Sequence, residues 1–594
     1  MRKKSGWGLG LMLALSFLTV FVGELVLRQH ISEVFEWIVS APSSFLLNWA
    51  MIFIITLIFT CLFNKVGRGF LVVSLIYITT CIVSFYKFKI SGEYLIPADL
   101  FLIGEATSIS KEMHITIESH VVLCALFIIF AIAMVYKIDL FEFAKKQRFV
   151  IVLLGMSILG TTVGIGAAVT SKSEEVVEAW EAETVNEEYN EKGFLVGFGK
   201  EVVELIVEKP EGYSKEKVED ILEPYSVLEE ETKGMNIKPN IIMIMSEGFF
   251  DVNRLPDVAF SDNPLRYFDG YRNQYARGSI VTPVYGGRTC QTEYEVLTGH
   301  SVDFTGTHNI AYMRFVNEET PSIPKLLKEE GYQTLAIHAY EKTFFSRDIA
   351  YKDLGIDEFL ASEDFESPKL IRGYISDEEV VDKMIEVYET KKEEPLFMHV
   401  VTMQNHMPYV DGYEGSQIKA TGKNLTEEEK IMLSTYANGI SDSDKALEKL
   451  IKYFEKQEEP TVIVMYGDHL PDLGENYRTY KDSGYIKETL DKEDYFNLYQ
   501  TPFVIWNNYD LPKKDFGYLD ASYLGSSLLD YIGYNKDAYM NFLDEKSTKV
   551  RAYNEAFTLD KEGCIKGKLE LNEEEKKVLE ELWILQYDRL FGQK

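Results

Sequence analysis

Asp468 and His469 stand side by side where an apolar run of the chain ends. The run TVIVMY, residues 461–466, has the β-branched composition of a buried strand, and Gly467 separates it from the pair. Gly-Asp is also ordinary turn chemistry, so the pair alone leaves a simple turn open. Asp and His are, however, an oxygen and a nitrogen ligand for a divalent metal, and such sites lie at the ends of strands in open α/β sheets.

Three further apolar runs, at residues 240–245, 334–339 and 396–403, also end near polar side chains. The candidates that they contribute are Glu247 after the first run, His338, Phe345 and Arg347 in or after the second, and His406 after the third. Each residue alone is more typical of a solvated strand end than of a ligand. If the runs form neighbouring parallel strands, their ends meet at one edge of the sheet, and the polar side chains converge there.

A fifth segment places a hydroxyl and a thiol at the start of a predicted helix. Gly286 and Gly287 precede Arg288, Thr289 and Cys290, and the helix-like residues QTEYEVL follow. The positive field at a helix N-terminus favours an alkoxide or a bound phosphate, although a threonine there can also be a simple N-cap.

The combination predicts one metal centre formed by Glu247, Thr289, Asp468 and His469. Three hard oxygens and one imidazole suit Mn²⁺, Mg²⁺ or Zn²⁺. A coordinated threonine hydroxyl would lose its proton more easily and become a nucleophile. Cysteine is the stronger nucleophile in free solution, but the hard ligand set favours Thr289 over Cys290. An electrophilic phosphorus would need donors around its oxygens, and the candidates are Arg347, His406 and His338.

The elements that must position these residues form an α/β domain. Apolar runs alternate with amphipathic, helix-like segments at residues 322–330, 377–390 and 427–454, which predicts a mostly parallel sheet covered on both faces. We expect this α/β/α sandwich domain at residues 235–550, followed by a tail at 551–594 that is helical in its later part.

The first 170 residues predict a membrane region. Five apolar runs, at residues 7–27, 45–63, 69–85, 121–136 and 149–169, are each near the length of a membrane span. Nine Lys and Arg in the flanking segments fall on one side and four on the other, so the positive-inside rule predicts a cytoplasmic N-terminus. Five crossings then place the later domain outside the cell membrane, joined by a helical linker at residues 171–234.

The charge distribution argues against one class of partner, and the cysteine content argues against a disulfide-stabilised fold. Residues 1–170 hold 13 Lys and Arg against 10 Asp and Glu, a balance of +3, whereas the remainder holds 48 against 83, a balance of −35. The acidic part argues against binding to nucleic acid, which requires basic surfaces. Only two of the five cysteines lie outside the apolar runs, so no disulfide framework is predicted.

The motifs taken together resemble the lipoteichoic acid synthase family, which are membrane phosphoglycerol transferases of the alkaline phosphatase and sulfatase superfamily. The motifs that carry the resemblance are IMSEGF around Glu247, GGRTCQTEYEVLTG around Thr289, FFSRD around Arg347, TMQNHMP around His406 and YGDHLP around Asp468 and His469. The resemblance covers nearly the whole chain. The sulfatase signature Cys-x-Pro-x-Arg is absent after Cys290, so conversion of this cysteine to an aldehyde nucleophile is not expected.

The resemblance implies a threonine nucleophile at Thr289 and a metal, usually Mn²⁺, held by Glu247, Thr289, Asp468 and His469. It implies that Arg347 and His406 contact the substrate phosphate. The donor lipid would be phosphatidylglycerol, and the acceptor a glycolipid or a teichoic acid polymer. Two departures from the best-known members, Phe345 in place of Trp and Arg-Thr-Cys in place of Lys-Thr-Ser, indicate that the head group or acceptor differs.

Two alternatives remain open at this point. In the first, water resolves the phosphorylated threonine, and the protein is a membrane-anchored phosphodiesterase or sulfatase-like hydrolase. In the second, the domain only binds a polymer or partner and has no activity. The complete ligand set disfavours the second alternative, because a binding domain does not need all four residues.

Overall fold

The computed structural model describes residues 2–91, 94–102, 118–135, 144–172, 185–231, 237–306, 309–391, 394–410, 413, 417–534 and 536–592. The described residues form two compact units, of which the first ends at Ile206 and the second begins at Val207. The first contains the apolar N-terminal helices, and the second contains the sheet. The predicted domain limits at residues 170, 234 and 550 stay predictions, and residues 173–184 and 232–234 of the predicted linker lie outside the described residues.

Among its described residues, the first unit contains eight α-helices. They are α1 Arg2–Arg28, α2 Ile31–Ser40, α3 Pro42–Phe63, α4 Val66–Ser91, α5 Ser119–Val135, α6 Lys145–Lys172, α7 Val185–Lys192 and α8 Phe194–Glu204. Three stretches, Gly8–Arg28, Pro42–Phe63 and Val66–Lys89, are long and apolar enough to cross a membrane. They coincide with the first three predicted spans, so the chain carries a membrane anchor.

The fourth and fifth predicted spans lie in α5 and α6. The apolar stretch of α5, Ser119–Ala133, is shorter than the other three. Residue 136 of the predicted fourth span is outside the described residues, as are the side chains at positions 162–170 of α6. The total of five spans is therefore not confirmed and stays a prediction.

Polar side chains of the apolar helices hold α7 and α8 in the first unit. Glu24 of α1 accepts a hydrogen bond from the backbone N–H of Phe194 at 2.9 Å. Asn48 of α3 accepts from the N–H of Leu195 at 3.1 Å and donates to the carbonyl of Lys192 at 2.7 Å. Because buried polar groups are costly unless they are paired, these contacts fix the two helices against α1 and α3.

The second unit is built around an eight-stranded sheet with the strand order β12-β3-β11-β10-β1-β8-β4-β5. The strands of the unit are β1 Asn240–Ser246, β2 Ala259–Phe260, β3 Ala276–Val281, β4 Gln333–His338, β5 Glu358–Leu360, β6 Leu370–Ile371, β7 Tyr374–Ile375, β8 Leu396–Val401, β9 Ala420–Thr421, β10 Thr461–Gly467, β11 Gln500–Asn507, β12 Asp515–Asp520, β13 Val550–Tyr553, β14 Thr558–Asp560 and β15 Ile565–Lys566. Only β11 runs antiparallel to its neighbours in the large sheet, so the sheet is mostly parallel, as predicted.

Helices cover the large sheet. The described helices of this unit are α9 Lys215–Glu231, α10 Arg266–Gln274, α11 Thr289–Thr298, α12 Ala311–Arg314, α13 Ile323–Glu329, α14 Arg347–Asp353, α15 Asp377–Thr390, α16 Glu427–Phe454, α17 Arg478–Asp482, α18 Lys492–Leu498, α19 Ala521–Tyr531, α20 Ala538–Ser547 and α21 Glu573–Phe591. Ile242 and Ile244 of β1 pack in one core with apolar residues of α15 and α16. The intervening strand positions face the opposite way, because side chains alternate along a strand.

The C-terminal residues pack on this unit. β13, β14 and β15 form a small antiparallel sheet, and α21 follows it. Trp583 stacks on Phe304 with 5.4 Å between ring centroids. Gln586 exchanges two hydrogen bonds with the backbone of Ser301, at 2.7 and 2.6 Å. The helix therefore supports the segment that follows α11.

Candidate metal centre and active site

The ends of two adjacent parallel strands place Glu247 beside Asp468. In the register of β1 and β10, Ser246 pairs with Gly467, so the next residue of each strand is one of the two acids. Gly467 is needed for this approach, because a Cβ at that position would lie 2.3 Å from the carbonyl oxygen of Phe249. The backbone N–H of Gly248 then donates to Asp468 Oδ1 at 2.7 Å, which joins the two strand ends.

Glu247, Asp468 and His469 form a buried cluster. One ligand atom from each residue lies within 4.8 Å of the other two. His469 Nε2 is 3.1 Å from Asp468 Oδ2 and 3.8 Å from Glu247 Oε1. Ligand atoms that bind one ion at about 2.0–2.2 Å have separations of this size. No other group of three such side chains among the described residues meets the same distance criterion.

The hydrogen bonds around the cluster leave Asp468 Oδ2 and His469 Nε2 without a hydrogen-bond partner among the described residues, and these two atoms lie 3.1 Å apart. Asp468 Oδ1 accepts from the backbone N–H of Gly248 and of His469, whereas Oδ2 has no hydrogen-bond donor among the described residues. His469 Nδ1 lies 2.9 Å from the carbonyl of Leu470, which assigns the proton to Nδ1 and leaves Nε2 as the free lone pair. These residues fit a divalent metal.

Burial and neighbouring charge change the protonation of Glu247 in this cluster. Removal of Glu247 from water, together with the neighbouring charge of Asp468, raises the pKa of the Glu247 carboxyl to about 8. When both carboxylates are ionised, the cluster carries excess negative charge. A bound divalent cation would neutralise that charge and favour both carboxylates in their ionised form.

Thr289 is the first residue of α11 and its hydroxyl reaches this cluster. The chain enters the helix through Gly286 at φ +66° and Arg288 at φ +60°, both in the left-handed region. The Thr289 hydroxyl donates to Glu247 Oε2 at 3.3 Å. The neighbouring Cys290 side chain is completely buried, whereas Thr289 remains 8% exposed. The Thr289 hydroxyl therefore reaches the cluster through Glu247.

Arg347 lies in a second buried group. Its Nε and Nη2 donate to Oε2 of Glu293 at 3.0 and 2.8 Å. The other oxygen of Glu293 accepts from the Tyr351 hydroxyl and lies 3.2 Å from His399 Nε2. Although burial opposes ionisation, Arg347 and His399 hold the pKa of Glu293 below its ordinary value. The four side chains form one network of charged and polar groups.

The remaining predicted substrate residues lie at the ends of β4 and β8, which are neighbours in the sheet. His338 is buried, and its Nδ1 has no hydrogen-bond partner among the described residues. His406 is half-buried, with Nδ1 2.8 Å from the carbonyl of Met407 and 3.1 Å from the Tyr374 hydroxyl. The Phe345 ring packs 5.4 Å from the Arg347 guanidinium.

Sequence reasoning missed Glu293, His399 and Tyr351. His399 is the one polar residue within the apolar strand β8, and this was a usable signal. Glu293 follows Thr289 by one helical turn, so a helix starting at Thr289 places both side chains on the same face. Nothing in the sequence indicated Tyr351. It lies in the short helix α14, which has both buried and exposed positions, so the sequence does not show which way its side chain faces.

Comparison with known proteins places these residues in a family. Residues 239–534 match the model of the family described as Sulfatase. A Rhizobium meliloti (strain 1021) protein named for cyclic beta-1,2-glucan modification is 30% identical over 414 residues, which make up 69% of this chain and 63% of that protein. Lipoteichoic acid synthase 1 of Bacillus subtilis (strain 168) is 26% identical over 303 residues, or 48% of this chain and 43% of the relative.

A solved structure is similar over most of its own length. Streptococcus pyogenes phosphoglycerol transferase GacH, in complex with sn-glycerol-1-phosphate, aligns with a TM-score of 0.55 and 26% identity, covering 65% of this chain and 96% of that one. The two curated relatives are matched over only 63% and 43% of their length.

The matched segment contains the cluster at the strand ends as well as Thr289 and the Arg347 network. Its mostly parallel sheet is of the alkaline phosphatase and sulfatase type. The chain carries a sulfatase-family domain of the alkaline phosphatase and sulfatase superfamily at residues 239–534, and it is similar to a lipoteichoic acid synthase and to the phosphoglycerol transferase GacH.

Proposed function

We propose that the protein is a metal-dependent phosphoglycerol transferase in which Thr289 is the nucleophile. The observation that carries this proposal is the Thr289 hydroxyl at the start of α11, which lies 3.3 Å from Glu247 Oε2. Glu247 belongs to the same cluster as the unpaired atoms of Asp468 and His469. A divalent ion held by Glu247, Thr289, Asp468 and His469 would favour the alkoxide form of the threonine. Mn²⁺ is the proposed ion, and Mg²⁺ or Zn²⁺ would suit the same ligands.

The reaction proceeds in two displacements at phosphorus. In the first, the Thr289 hydroxyl loses its proton and its oxygen bonds to the phosphorus of phosphatidylglycerol. The bond from phosphorus to the diacylglycerol oxygen breaks, and that oxygen takes up a proton. In the second, a hydroxyl of the acceptor attacks the phosphothreonine, loses its proton, and leaves with the glycerol phosphate while Thr289 regains its hydroxyl.

Three side chains are proposed to bind the phosphoryl oxygens. Arg347 supplies a planar, permanently charged donor, and His406 and His338 supply imidazole groups at neighbouring strand ends. Phe345 packs on Arg347 and bounds the space for the glycerol group. The positive end of α11 adds to the field that favours an anionic phosphate.

The relatives support the donor and acceptor classes. GacH is named as a phosphoglycerol transferase and was solved with sn-glycerol-1-phosphate. Lipoteichoic acid synthase 1 is named for a polymer of the cell envelope, and the Rhizobium meliloti protein for modification of a glucan. We therefore propose phosphatidylglycerol as donor and a lipoteichoic-acid-type polymer, its glycolipid, or a related envelope glycan as acceptor.

The membrane arrangement follows from this chemistry. A bilayer donor requires the domain to work at a membrane surface, and the apolar helices would keep it there. We propose a multi-pass protein of the cell membrane with a cytoplasmic N-terminus and an extracellular catalytic domain.

The test uses the full-length protein in detergent with Mn²⁺ and phosphatidylglycerol labelled in its terminal glycerol. Mass spectrometry should find diacylglycerol, label on Thr289, and label on an added glycan acceptor. Diacylglycerol together with free glycerol phosphate as the sole labelled product, with and without acceptor, would establish a hydrolase instead. No diacylglycerol under any condition would overturn the proposal.

A further inference from the structure

The hydrogen bonds of Arg347 define which of its edges faces the substrate. A guanidinium has five N–H donors. Three are used by the described residues: Nε and Nη2 each donate to Glu293 Oε2, and Nη1 donates to the carbonyl of Phe344 at 3.4 Å. Each terminal nitrogen has a second N–H, and the end of the fork lies between these two nitrogens. This is the edge that can hold two phosphate oxygens.

Glu293 is itself held from several sides. Tyr351 and His399 contact its Oε1 while Arg347 contacts its Oε2, and all four side chains are at most 1% exposed. A carboxylate with three partners in such a packed site has little freedom to rotate. The direction of the Arg347 fork is therefore set by Glu293.

The same helix carries the proposed nucleophile. Thr289 and Glu293 are four residues apart in α11, so they lie on one face, one turn from each other. Every residue of the helix from Thr289 to Thr298 is buried, and the Thr292 hydroxyl donates to the carbonyl of Asp468 at 2.7 Å. A single rigid element thus fixes the attacking oxygen and the anchor of the phosphate-binding arginine.

We propose that Glu293 is a positioning residue, which aims Arg347 so that the phosphoryl group is held in line with the Thr289 hydroxyl. The proposal rests on the transferase function proposed above and adds a role for a residue that does not touch the substrate. The Glu293 carboxylate is negatively charged, so it does not increase the attraction for phosphate. Its contribution is geometric and should appear in turnover rather than in ground-state affinity.

The test compares Glu293→Gln with Glu295→Gln in the full-length, Mn²⁺-loaded protein. Glu295 is the control, because it is also buried on the same helix, at 2% exposed, but accepts from the N–H of Val302 instead of binding Arg347. Turnover of phosphatidylglycerol in Glu293→Gln should fall by on the order of 100-fold, the effect of a misplaced reacting group. The dissociation constant for sn-glycerol 1-phosphate should not rise, and Glu295→Gln should resemble the wild type in both.

Two further measurements separate positioning from folding. In an Arg347→Ala background there is no fork to aim, so adding Glu293→Gln should change the rate of Thr289 labelling by less than about threefold. Tyr351→Phe keeps the ion pair and removes one contact to Glu293, so it should lower turnover less than Glu293→Gln does. If Glu293→Gln melts at a much lower temperature than Glu295→Gln, its loss of turnover could come from unfolding. Tyr351→Phe then serves as the test of the proposal.

The proposal is overturned by wild-type turnover in both Glu293→Gln and Tyr351→Phe. It is also overturned if the affinity of Glu293→Gln for glycerol phosphate falls in parallel with its turnover. A third contrary result is a double variant, Arg347→Ala with Glu293→Gln, whose loss in labelling rate equals the product of the losses in the two single variants. These results would leave the transferase function standing. Absence of diacylglycerol formation by the wild-type protein would instead remove the proposed function itself.

Discussion

Metal binding should displace a proton from Glu247, and the apparent metal affinity should therefore increase with pH above neutrality. Glu247 is buried next to Asp468, and these two effects raise its pKa from 4.5 to about 8 in the metal-free protein. A carboxylate must be ionised to bind a metal, so the metal competes with the proton for this side chain.

The magnitude follows from that pKa. At pH 7 about nine-tenths of the metal-free protein carries the proton on Glu247, and at pH 9 about one-tenth does. The apparent dissociation constant for Mn²⁺ should consequently be about tenfold larger at pH 7 than at pH 9, or about 1.4 kcal/mol. Binding should release nearly one proton per metal at pH 7 and almost none at pH 9.

The assay is calorimetric titration of the metal-stripped, full-length protein with Mn²⁺ at pH 7, 8 and 9. Buffers with different ionisation enthalpies report the number of protons released. The range begins above the usual titration of imidazole groups, so that histidines contribute little. Glu247→Gln should bind more weakly at pH 9 and show neither the slope nor the proton release. Equal dissociation constants at pH 7 and 9 in the wild type, or an unchanged slope in Glu247→Gln, would refute the reasoning.

The stability of the metal-free protein supplies an independent check. Between pH 4.5 and about 8 the folded protein holds the Glu247 proton and the unfolded chain does not. This contribution to stability is fully present below pH 4.5 and is lost as the pH rises through 8. The melting temperature of the metal-free protein should therefore fall between pH 6 and 9, and the fall should be smaller in Glu247→Gln and in the metal-loaded protein.

The other predictions concern the nucleophile, the phosphate and the membrane. Thr289→Ala should reduce head-group transfer on the order of 10³-fold or more, whereas Cys290→Ser should retain most activity, as measured by diacylglycerol release. Arg347→Lys should lower turnover by about 10–100-fold with unchanged metal content, because lysine cannot form the planar two-point contact. Reporter domains fused after Lys146 and after Lys172 should read as cytoplasmic and extracellular, respectively.

Each of these predictions has a contrary result. A thiophosphate adduct on Cys290, or an active Thr289→Ala protein, would show that Thr289 is not the nucleophile. Loss of Mn²⁺ from Arg347→Lys would mean that this side chain supports the metal centre rather than the phosphate. Two reporters on the same side of the membrane would show that the number of spans between them is even.

The elements that carry the site were largely predictable from local sequence. The apolar runs at residues 240–245 and 461–466 are β1 and β10, each with one further residue, and α15 and α16 have the predicted limits. Strand periodicity and helix caps are encoded within a few residues, as in the Thr426 and Glu429 capping box that starts α16. The meeting of Glu247 and Asp468 follows from a topological rule for parallel sheets.

The network behind Arg347 was not predictable in the same way. Glu293 and His399 are 106 residues apart, and their contact depends on which face of β8 turns toward α11. A shift of one residue in the register of β8 would direct His399 to the opposite face of the sheet. Sequence patterns indicate that β8 is a buried strand. They do not show what His399 contacts, because that depends on which helix packs against the strand.

Backbone strain adds a last argument that Thr289 and Arg347 act together. Each is the first residue of a helix, and each is entered through left-handed, non-glycine residues: Arg288 at φ +60° before Thr289, and Phe345 at +56° and Ser346 at +55° before Arg347. Such conformations cost on the order of 1–3 kcal/mol each and persist where the surroundings over-determine them. Glycine would relieve the strain, but at position 345 it would also remove the ring that packs on the guanidinium. Left-handed residues thus precede both the nucleophile and the phosphate ligand that we propose, and strain of this kind is expected at a preorganised active site. The same conformation occurs at Asn476 and Tyr477 before Arg478, so strain alone does not identify the site.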